Sequence, residues 1–171
     1  MNKLSRHILT PWVIGLLAVV LAGCGWQLRG AIGGGFQDVP IALAGSTDNQ
    51  FFAEVSDELR NLGAIMVTDR DAAQAVVIIE RAEATRATVA TDSDGFATEY
   101  ELTYRLTFHV EAGGLGDADR FSGASQTIRN TESYPVDPND LLAVEAEEER
   151  IEEDLRAMSI RLMLSRVSRA L

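Results

Sequence analysis

The residues that first indicate chemistry are Leu21-Ala22-Gly23-Cys24, because they place the only cysteine of the chain directly after a short apolar segment, Ile8 to Val20. The basic residues Lys3 and Arg6 precede that segment. A basic start, an apolar core and small residues before the cut are typical of a secretory signal peptide. The tetrapeptide matches the lipobox of bacterial lipoproteins, in which the thiol is diacylglycerylated before a peptidase cuts in front of the cysteine.

We therefore predict cleavage between Gly23 and Cys24 and acylation of the Cys24 sulfur. The alternative, an ordinary core cysteine, leaves an unpaired thiol in an oxidising compartment without an explanation. The apolar segment is shorter than the about 20 residues that a membrane-spanning helix needs, so the acyl chains would provide the membrane anchor. Gly25 stands where an aspartate retains lipoproteins in the inner membrane of enterobacterial-type systems, which predicts sorting to the outer membrane.

The charge of the chain limits the kinds of partner it is expected to have. The formal net charge is −11 over 171 residues, and removal of the leader leaves 148 residues with a charge of −13. Such acidity argues against nucleic-acid binding, which needs a basic surface, and against electrostatic adhesion to anionic lipid. With two histidines and one cysteine, the sequence also offers few ligands for a soft metal. We predict no cofactor and no metal.

No familiar catalytic motif occurs in the sequence, and we predict that the protein is not an enzyme. The nucleophile elbow, the P-loop, the His-Glu-x-x-His zinc motif and the dinucleotide fingerprint are all missing. His109 has Glu99, Glu101 and Glu111 nearby in sequence and is a conceivable general base, but a hydrogen-bonded surface histidine is the favoured interpretation. The acidic segment from Glu145 to Asp154 lacks the loop pattern of a calcium site and is interpreted as the solvated face of a helix.

The elements that must position these residues begin after a glycine-rich tether. We predict a signal peptide over residues 1–23, an acylated N-terminus and tether over 24–37, and one domain over 38–171. Helical spacing of apolar residues predicts a first helix over residues 48–62, with Ser46, Thr47 and Asp48 as candidate caps. The predicted strands before and after it are Val39–Leu43, whose Pro40 indicates an edge or a strand start, a brief Ala64–Val67, and an apolar Ala75–Ile79 that grows more polar towards Val89.

In the second half of the predicted domain, apolar and polar residues alternate more regularly. Asp92–Gly95 is a turn signal, and the strict alternation from Phe96 to Glu111 predicts a long strand with one apolar and one polar face. A polar strand follows, over about Arg120 to Glu132. From Leu141 onwards an apolar stripe predicts one long helix, acidic in its first half and basic in its second. These elements predict an α+β fold in which two helices pack on one face of a mixed or antiparallel sheet.

The start of the predicted mature chain, Cys24-Gly25-Trp26-Gln27-Leu28-Arg29-Gly30, resembles that of the LptE family of lipopolysaccharide-assembly lipoproteins, formerly RlpB. Thr98-Glu99-Tyr100-Glu101-Leu102, after a glycine-containing turn, is similar to the Glu-Tyr strand of that family. Pro138 followed by a long C-terminal helix also matches the family in order and spacing. The resemblance covers essentially all of the predicted mature chain.

The resemblance implies a 1:1 plug-and-barrel complex with the outer-membrane β-barrel LptD, support of that barrel's assembly, and delivery of lipopolysaccharide to the outer leaflet. The family's basic glycolipid-contacting positions have no cation here, since Thr91–Gly95 and Leu141–Glu145 contain none. Arg81, Arg86 and Arg105 remain as strand-borne ligand candidates, although each is interpreted first as a member of a surface ion pair. An accessory lipid- or solute-binding lipoprotein of a periplasmic transport system is the alternative function.

Overall fold

The computed structural model of the protein describes residues 35–45, 49–121 and 123–171. The leader, Gly23, Cys24, most of the tether and the candidate caps Ser46–Asp48 lie outside these residues. Within the described ranges the elements, in chain order, are β1 (Pro40–Gly45), α1 (Asn49–Asn61), β2 (Ile65–Met66), β3 (Ala75–Thr91), β4 (Ala97–Ala112), β5 (Gln126–Pro135) and α2 (Leu141–Ala170), with 3₁₀ turns at Arg70–Ala72 and Ala118–Arg120.

The strands form one mixed sheet in the order β2-β1-β3-β4-β5. β1 is parallel to both of its neighbours, whereas β3, β4 and β5 form an antiparallel meander. β1 pairs only with the first five residues of β3, 75–79, and β5 pairs with residues 99–108 of β4. The sheet is therefore stepped: four strands lie side by side at one end, and three at the other.

Both helices pack on the same face of this sheet. Phe51, Val55 and Leu59 recur at four-residue spacing along α1 and are buried. The α2 residues Val144, Ile151, Leu155, Ile160, Met163, Leu164 and Val167 join them in one core with sheet residues that include Ile41, Val77, Leu106 and Phe108. Arg156 of α2 also pairs with Glu54 of α1 at 3.2 Å. The predicted α+β arrangement of two helices on one sheet face is confirmed.

Helix α2 runs antiparallel to β5. Its first turns meet the end of β5, where the Tyr134 hydroxyl donates a hydrogen bond to Glu148. Ser159, farther along α2, accepts a 2.8 Å hydrogen bond from Asn130, and Arg166 reaches the carbonyl of Thr127 at 3.5 Å. At about 1.5 Å per residue, the helix of 30 residues extends about 45 Å, nearly the length of β4.

The first residues of β3 are covered on both sides, as the apolar run predicts. Val77 and Ile79 lie in the main core, while Val76 packs on the other face with Ala42 and Ala73. The glycine-rich loop after β4 closes over this second cluster, because the amide of Leu115 donates to the carbonyl of Ala73 at 2.9 Å. A side chain at Gly113 would collide with that same carbonyl.

Two predicted boundaries are wrong, for reasons that involve side-chain capping. The fifth strand spans 126–135 rather than 120–132, because Asp117 accepts a hydrogen bond from Asp119 and caps a 3₁₀ turn that ends at Arg120. Phe96 lies outside β4 and is 61% exposed, not part of its apolar face. The Asp92 carboxylate accepts from the Phe96 amide at 2.9 Å and holds that residue in the turn. Across the described residues, neither helix is apolar enough over a sufficient length to cross a membrane.

Candidate functional site

The sheet face opposite the helices, which we call the open face, carries a regular polar pattern. Along β4 the even-numbered residues from Leu102 to Val110 are buried, so the odd-numbered residues point away from the helices. The register of β3 and β5 against β4 extends this pattern across three strands. The open face thereby presents Arg81, Glu83 and Thr85 of β3, Thr103, Arg105, Thr107 and His109 of β4, and Thr127, Arg129 and Thr131 of β5.

At the centre of the open face two arginines lie directly opposite each other. Arg105 of β4 and Arg129 of β5 are register partners, an arrangement that is unfavourable for like charges on adjacent strands. A threonine pair lies on each side of them. The hydroxyls of Thr107 and Thr127 are 3.1 Å apart, as are those of Thr103 and Thr131.

The third cation, Arg81, joins this pair at the wall of a shallow hollow of about 490 Å³. We call it the arginine depression; its lining residues are Glu80, Arg81, Arg105, Thr107, Thr127 and Arg129. The structure thus brings the sequence-predicted candidates Arg81 and Arg105 together, and adds Arg129, which sequence reasoning missed. The alternation Thr127-x-Arg129-x-Thr131 is the signal that could have found it, since it places all three side chains on one strand face.

Carboxylates next to the arginine depression are already engaged. Glu80 Oε1 lies 2.5 Å from His109 Nδ1 and accepts a 2.5 Å hydrogen bond from the Ser125 hydroxyl. These contacts, led by that of Ser125, hold the pKa of Glu80 below its ordinary value. Glu83 pairs with Arg81 at 3.0 Å. Within the part of the chain that the structure describes, no carboxylate forms an ion pair with Arg105 or Arg129.

His109 lies between two carboxylates rather than beside a nucleophile. Its Nε2 is 3.3 Å from Glu111 Oε1, and Glu111 also pairs with Arg70, whose hydrogen bond lowers the pKa of that carboxyl. Ser125 donates to Glu80 and not to the imidazole. The serine, histidine and glutamate therefore lack the order of a nucleophile activated by a base, and the arrangement holds the end of β4 to its neighbours.

Arg86, the other ligand candidate, lies on the helix side of the sheet and is separated from the arginine depression. Its guanidinium pairs with Glu148 at 2.6 Å and lies 4.6 Å from the centre of the Tyr100 ring. Tyr134 donates to the same carboxylate at 2.9 Å, and burial, aided by that hydrogen bond, raises the pKa of Tyr134 to about 12. Arg86 thus connects β3 to the first turns of α2.

The two segments where the resemblance locates glycolipid contacts lie at the hairpin end of the molecule. The Asp92 carboxylate is occupied by the amides of Asp94 and Phe96. At the start of α2, Leu141 and Leu142 are exposed. These two segments combine acidic and apolar side chains and contain no lysine or arginine. No group of three or more histidine, cysteine, aspartate or glutamate side chains is arranged to hold a metal ion within the described ranges.

Comparison with solved structures identifies the same fold in bacterial lipoproteins. Lipoprotein B from Nitrosomonas europaea superposes with a TM-score of 0.69 at 20% identity, covering 84% of this chain and 90% of that one. The rare lipoprotein B from Shewanella oneidensis gives 0.58 at 23% identity, with 75% and 94% covered. A minor lipoprotein from Acinetobacter baumannii gives 0.50 at 19%, with 78% and 90% covered. These identities establish likeness of fold alone.

Comparison with models of sequence families shows to which family the chain belongs. A search of curated protein sequences found no significant match. The family model described as "LptE: Lipopolysaccharide-assembly" matches residues 36–167, which include all five strands, α1 and nearly all of α2. Because this match covers most of the chain, the protein belongs to the LptE family of lipopolysaccharide-assembly lipoproteins.

Proposed function

We propose that the protein is an outer-membrane lipoprotein that assists the assembly of the β-barrel LptD, plugs its lumen in a 1:1 complex, and supports insertion of lipopolysaccharide into the outer leaflet. The observation that carries this proposal is the family match over residues 36–167. The proposal includes cleavage after Gly23, acylation of Cys24, and a tether over residues 24–37 that joins the anchor to the domain over 38–171. It involves no catalytic step.

The chemistry of the open face supports a partner with a polar interior. Threonine, arginine and glutamate side chains cover three adjacent strands there, and the main apolar core lies on the helix side of those strands, while the small second cluster around Val76 is covered by the loop after β4. The lumen of a large outer-membrane barrel is likewise polar, so this face is suited to lie inside one without exposing apolar surface. An acyl anchor in the same membrane would raise the local concentration of the domain near the barrel.

The test is affinity purification of the tagged, lipidated protein from detergent-solubilised envelopes, followed by mass spectrometry. The proposal expects one large outer-membrane barrel at near-equal stoichiometry. Recovery of inner-membrane transporter subunits alone would contradict it and favour an accessory lipid- or solute-binding lipoprotein. Recovery of no partner would also contradict it.

Two variants test the need for the acyl anchor and the need for outer-membrane sorting separately. Cys24→Ala removes the acylated sulfur, and Gly25→Asp keeps it but introduces the inner-membrane retention residue. We expect both variants to lower the amount of barrel recovered and the amount of surface lipopolysaccharide. If Gly25→Asp alone leaves both unchanged, outer-membrane sorting is not required and that part of the proposal fails.

A further inference from the structure

The second half of β3 leaves one side of its backbone without a strand partner. Among the described residues, β1 pairs with residues 75–79 of β3, and from Glu80 to Thr91 the strand pairs with β4 alone. The side chains of Glu83 and of residues 85–89 are exposed. An unpaired strand edge presents amide and carbonyl groups to which a further strand can bind.

This edge lacks the features that normally prevent a further strand from pairing. Between Arg81 and Thr88 its register with β4 is unbroken, and this stretch contains no proline and no lysine. The outer strands of the sheet differ from it. β2 has only two residues, and the carbonyl of Thr127 in β5 accepts a hydrogen bond from Arg166 of α2. The free edge of β3 is therefore the part of the sheet best suited to add a strand.

The charges of this edge favour a second copy of the same strand as its partner. Residues 80–91 contain two glutamates and two arginines, so the edge is neutral although the whole chain is strongly acidic. Two identical antiparallel strands are related by a twofold axis, which can pass through Thr85. No like charges are then directly opposed. The opposed pairs are Ala84 with Arg86, Glu83 with Ala87, and Ala82 with Thr88.

The neighbouring registers are less favourable. An axis through Arg86 would place two arginines directly opposite each other, which destabilises adjacent strands. An axis through Ala84 would bring Val89 against Ile79 of the other copy, where β1 is already bound. With the axis through Thr85, Val89 lies two positions beyond the stretch that β1 occupies. The register shift at Val89 bends the last residues of β3 away from that stretch.

We propose that two copies of the protein associate by antiparallel pairing of residues 82–88 of β3, with Thr85 on the twofold axis. The two five-stranded sheets join into one continuous sheet, with both open faces on the same side. Seven paired residues per copy form a small interface, which is typical of a weak association, so the protein is a monomer in dilute solution. Acyl anchors in one membrane would raise the local concentration and favour the pair.

Disulfide cross-linking tests the register. The only cysteine of the chain, Cys24, is the predicted acylation site, so a cysteine introduced into β3 is the single free thiol of the lipidated protein. We compare full-length, lipidated Thr85→Cys and Ala87→Cys, oxidised with copper phenanthroline in a non-ionic detergent. In the proposed pair the two Cβ atoms at position 85 are about 5 Å apart. Those at position 87 are about 13 Å apart, which is beyond the reach of a disulfide.

We expect Thr85→Cys to form the disulfide dimer at least tenfold faster than Ala87→Cys. The control position is exposed on the same face of the same strand, so it measures chance collisions, including those between copies that share a micelle. Equal rates at the two positions would overturn the proposed register.

Sedimentation equilibrium in density-matched detergent, over about 10 to 500 µM protein, measures the association itself. We expect the wild type to pass from monomer to dimer over this range. Thr85→Lys should raise the dissociation constant at least tenfold, because two ammonium groups would be directly opposed. Thr131→Lys, which makes the same change on the open face of β5, should stay within twofold of the wild type.

Two further results would overturn the inference. A wild type that stays monomeric over the whole range would exclude the pair. A dimer that Thr85→Lys does not weaken would place the contact elsewhere on the molecule. Should Thr85→Lys fail to fold, as judged by circular dichroism, the cross-linking comparison still decides. The inference rests on the strand edge and not on the proposed barrel partner, whose failure is read separately, from barrel recovery with the wild-type protein.

Discussion

Ser159 is a fully buried polar residue in the contact between α2 and the sheet. Its hydroxyl accepts from Asn130 of β5 and donates to the carbonyl of Leu155, both at 2.8 Å. Ser159→Ala leaves the Asn130 amide without this acceptor, and we expect the free energy of unfolding to fall by about 1 kcal/mol relative to the control. The control, Ser165→Ala, makes the same change on the same helix at a partly exposed position. If urea denaturation shows that both variants lose the same free energy of unfolding, the prediction is contradicted.

Tyr134 makes the stability of the protein depend on pH in the alkaline range. Burial and the Glu148 carboxylate raise its pKa to about 12, whereas an unfolded tyrosine titrates near 10. Between these values the unfolded chain loses a proton that the folded chain keeps, so this contribution to stability is complete below pH 10 and is lost as the pH rises through 12. We expect Tyr134→Phe to flatten the fall in stability over this range. The prediction is contradicted if the free energy of unfolding, measured by denaturation, falls equally steeply with pH in the wild type and in Tyr134→Phe.

The arginines show how much of the candidate site the sequence could predict. Arg81 and Arg86 are five positions apart in the sequence, an odd spacing, so strand alternation alone indicates that they lie on opposite faces. What alternation cannot supply is the register between strands. The pairing of Arg105 with Arg129 follows from where β5 begins, and that depends on the capped 3₁₀ turn before it. The long strand β4 was predictable because its alternation is strict, whereas β5 is mostly polar and its bounds were not.

At the scale of elements, the close approach of β1 to β3 depends on a glycine. Gly45 has a φ of +133°, and a Cβ atom there would lie 2.0 Å from the carbonyl oxygen of Ile79, its partner on β3. Gly45→Ala therefore adds a backbone collision to an unfavourable φ, and we expect a loss of at least about 2 kcal/mol in the free energy of unfolding.

Gly95, in the turn between β3 and β4, is the matched control for that substitution. Its φ is +88°, but a Cβ atom would meet no heavy atom within 4 Å. Gly95→Ala should cost only the conformational strain, about 1 kcal/mol. Comparison of the two variants by chemical denaturation isolates the collision at the β1–β3 contact. Equal losses would mean that the strands separate enough to accept a methyl group.

At the scale of the whole molecule, the step in the sheet divides the domain into two unequal halves. One half has β1, β2 and α1 beside the start of β3, and its core includes Phe51, Leu59 and Val77. In the other half β3 has a strand partner on one side only, from Glu80 to its end. The exposed side chains of Val89 and Phe96 lie at the far end of this half. Local unfolding is expected where backbone hydrogen bonds are exposed and buried contacts are few.

Hydrogen exchange measured by mass spectrometry should therefore resolve a gradient along the single strand β3. We expect peptides that cover residues 75–79 to exchange slowest, since their amides lie between two strands and under both a helix layer and the loop after β4. Peptides from 84–91 should exchange faster by at least tenfold, because that stretch forms an edge of the sheet. Arg86→Gln, which removes the contact with Glu148 of α2, should increase exchange in 84–91 and leave 75–79 unchanged. A uniform increase along β3 would show instead that the domain opens as one cooperative unit, and that the step has no energetic consequence.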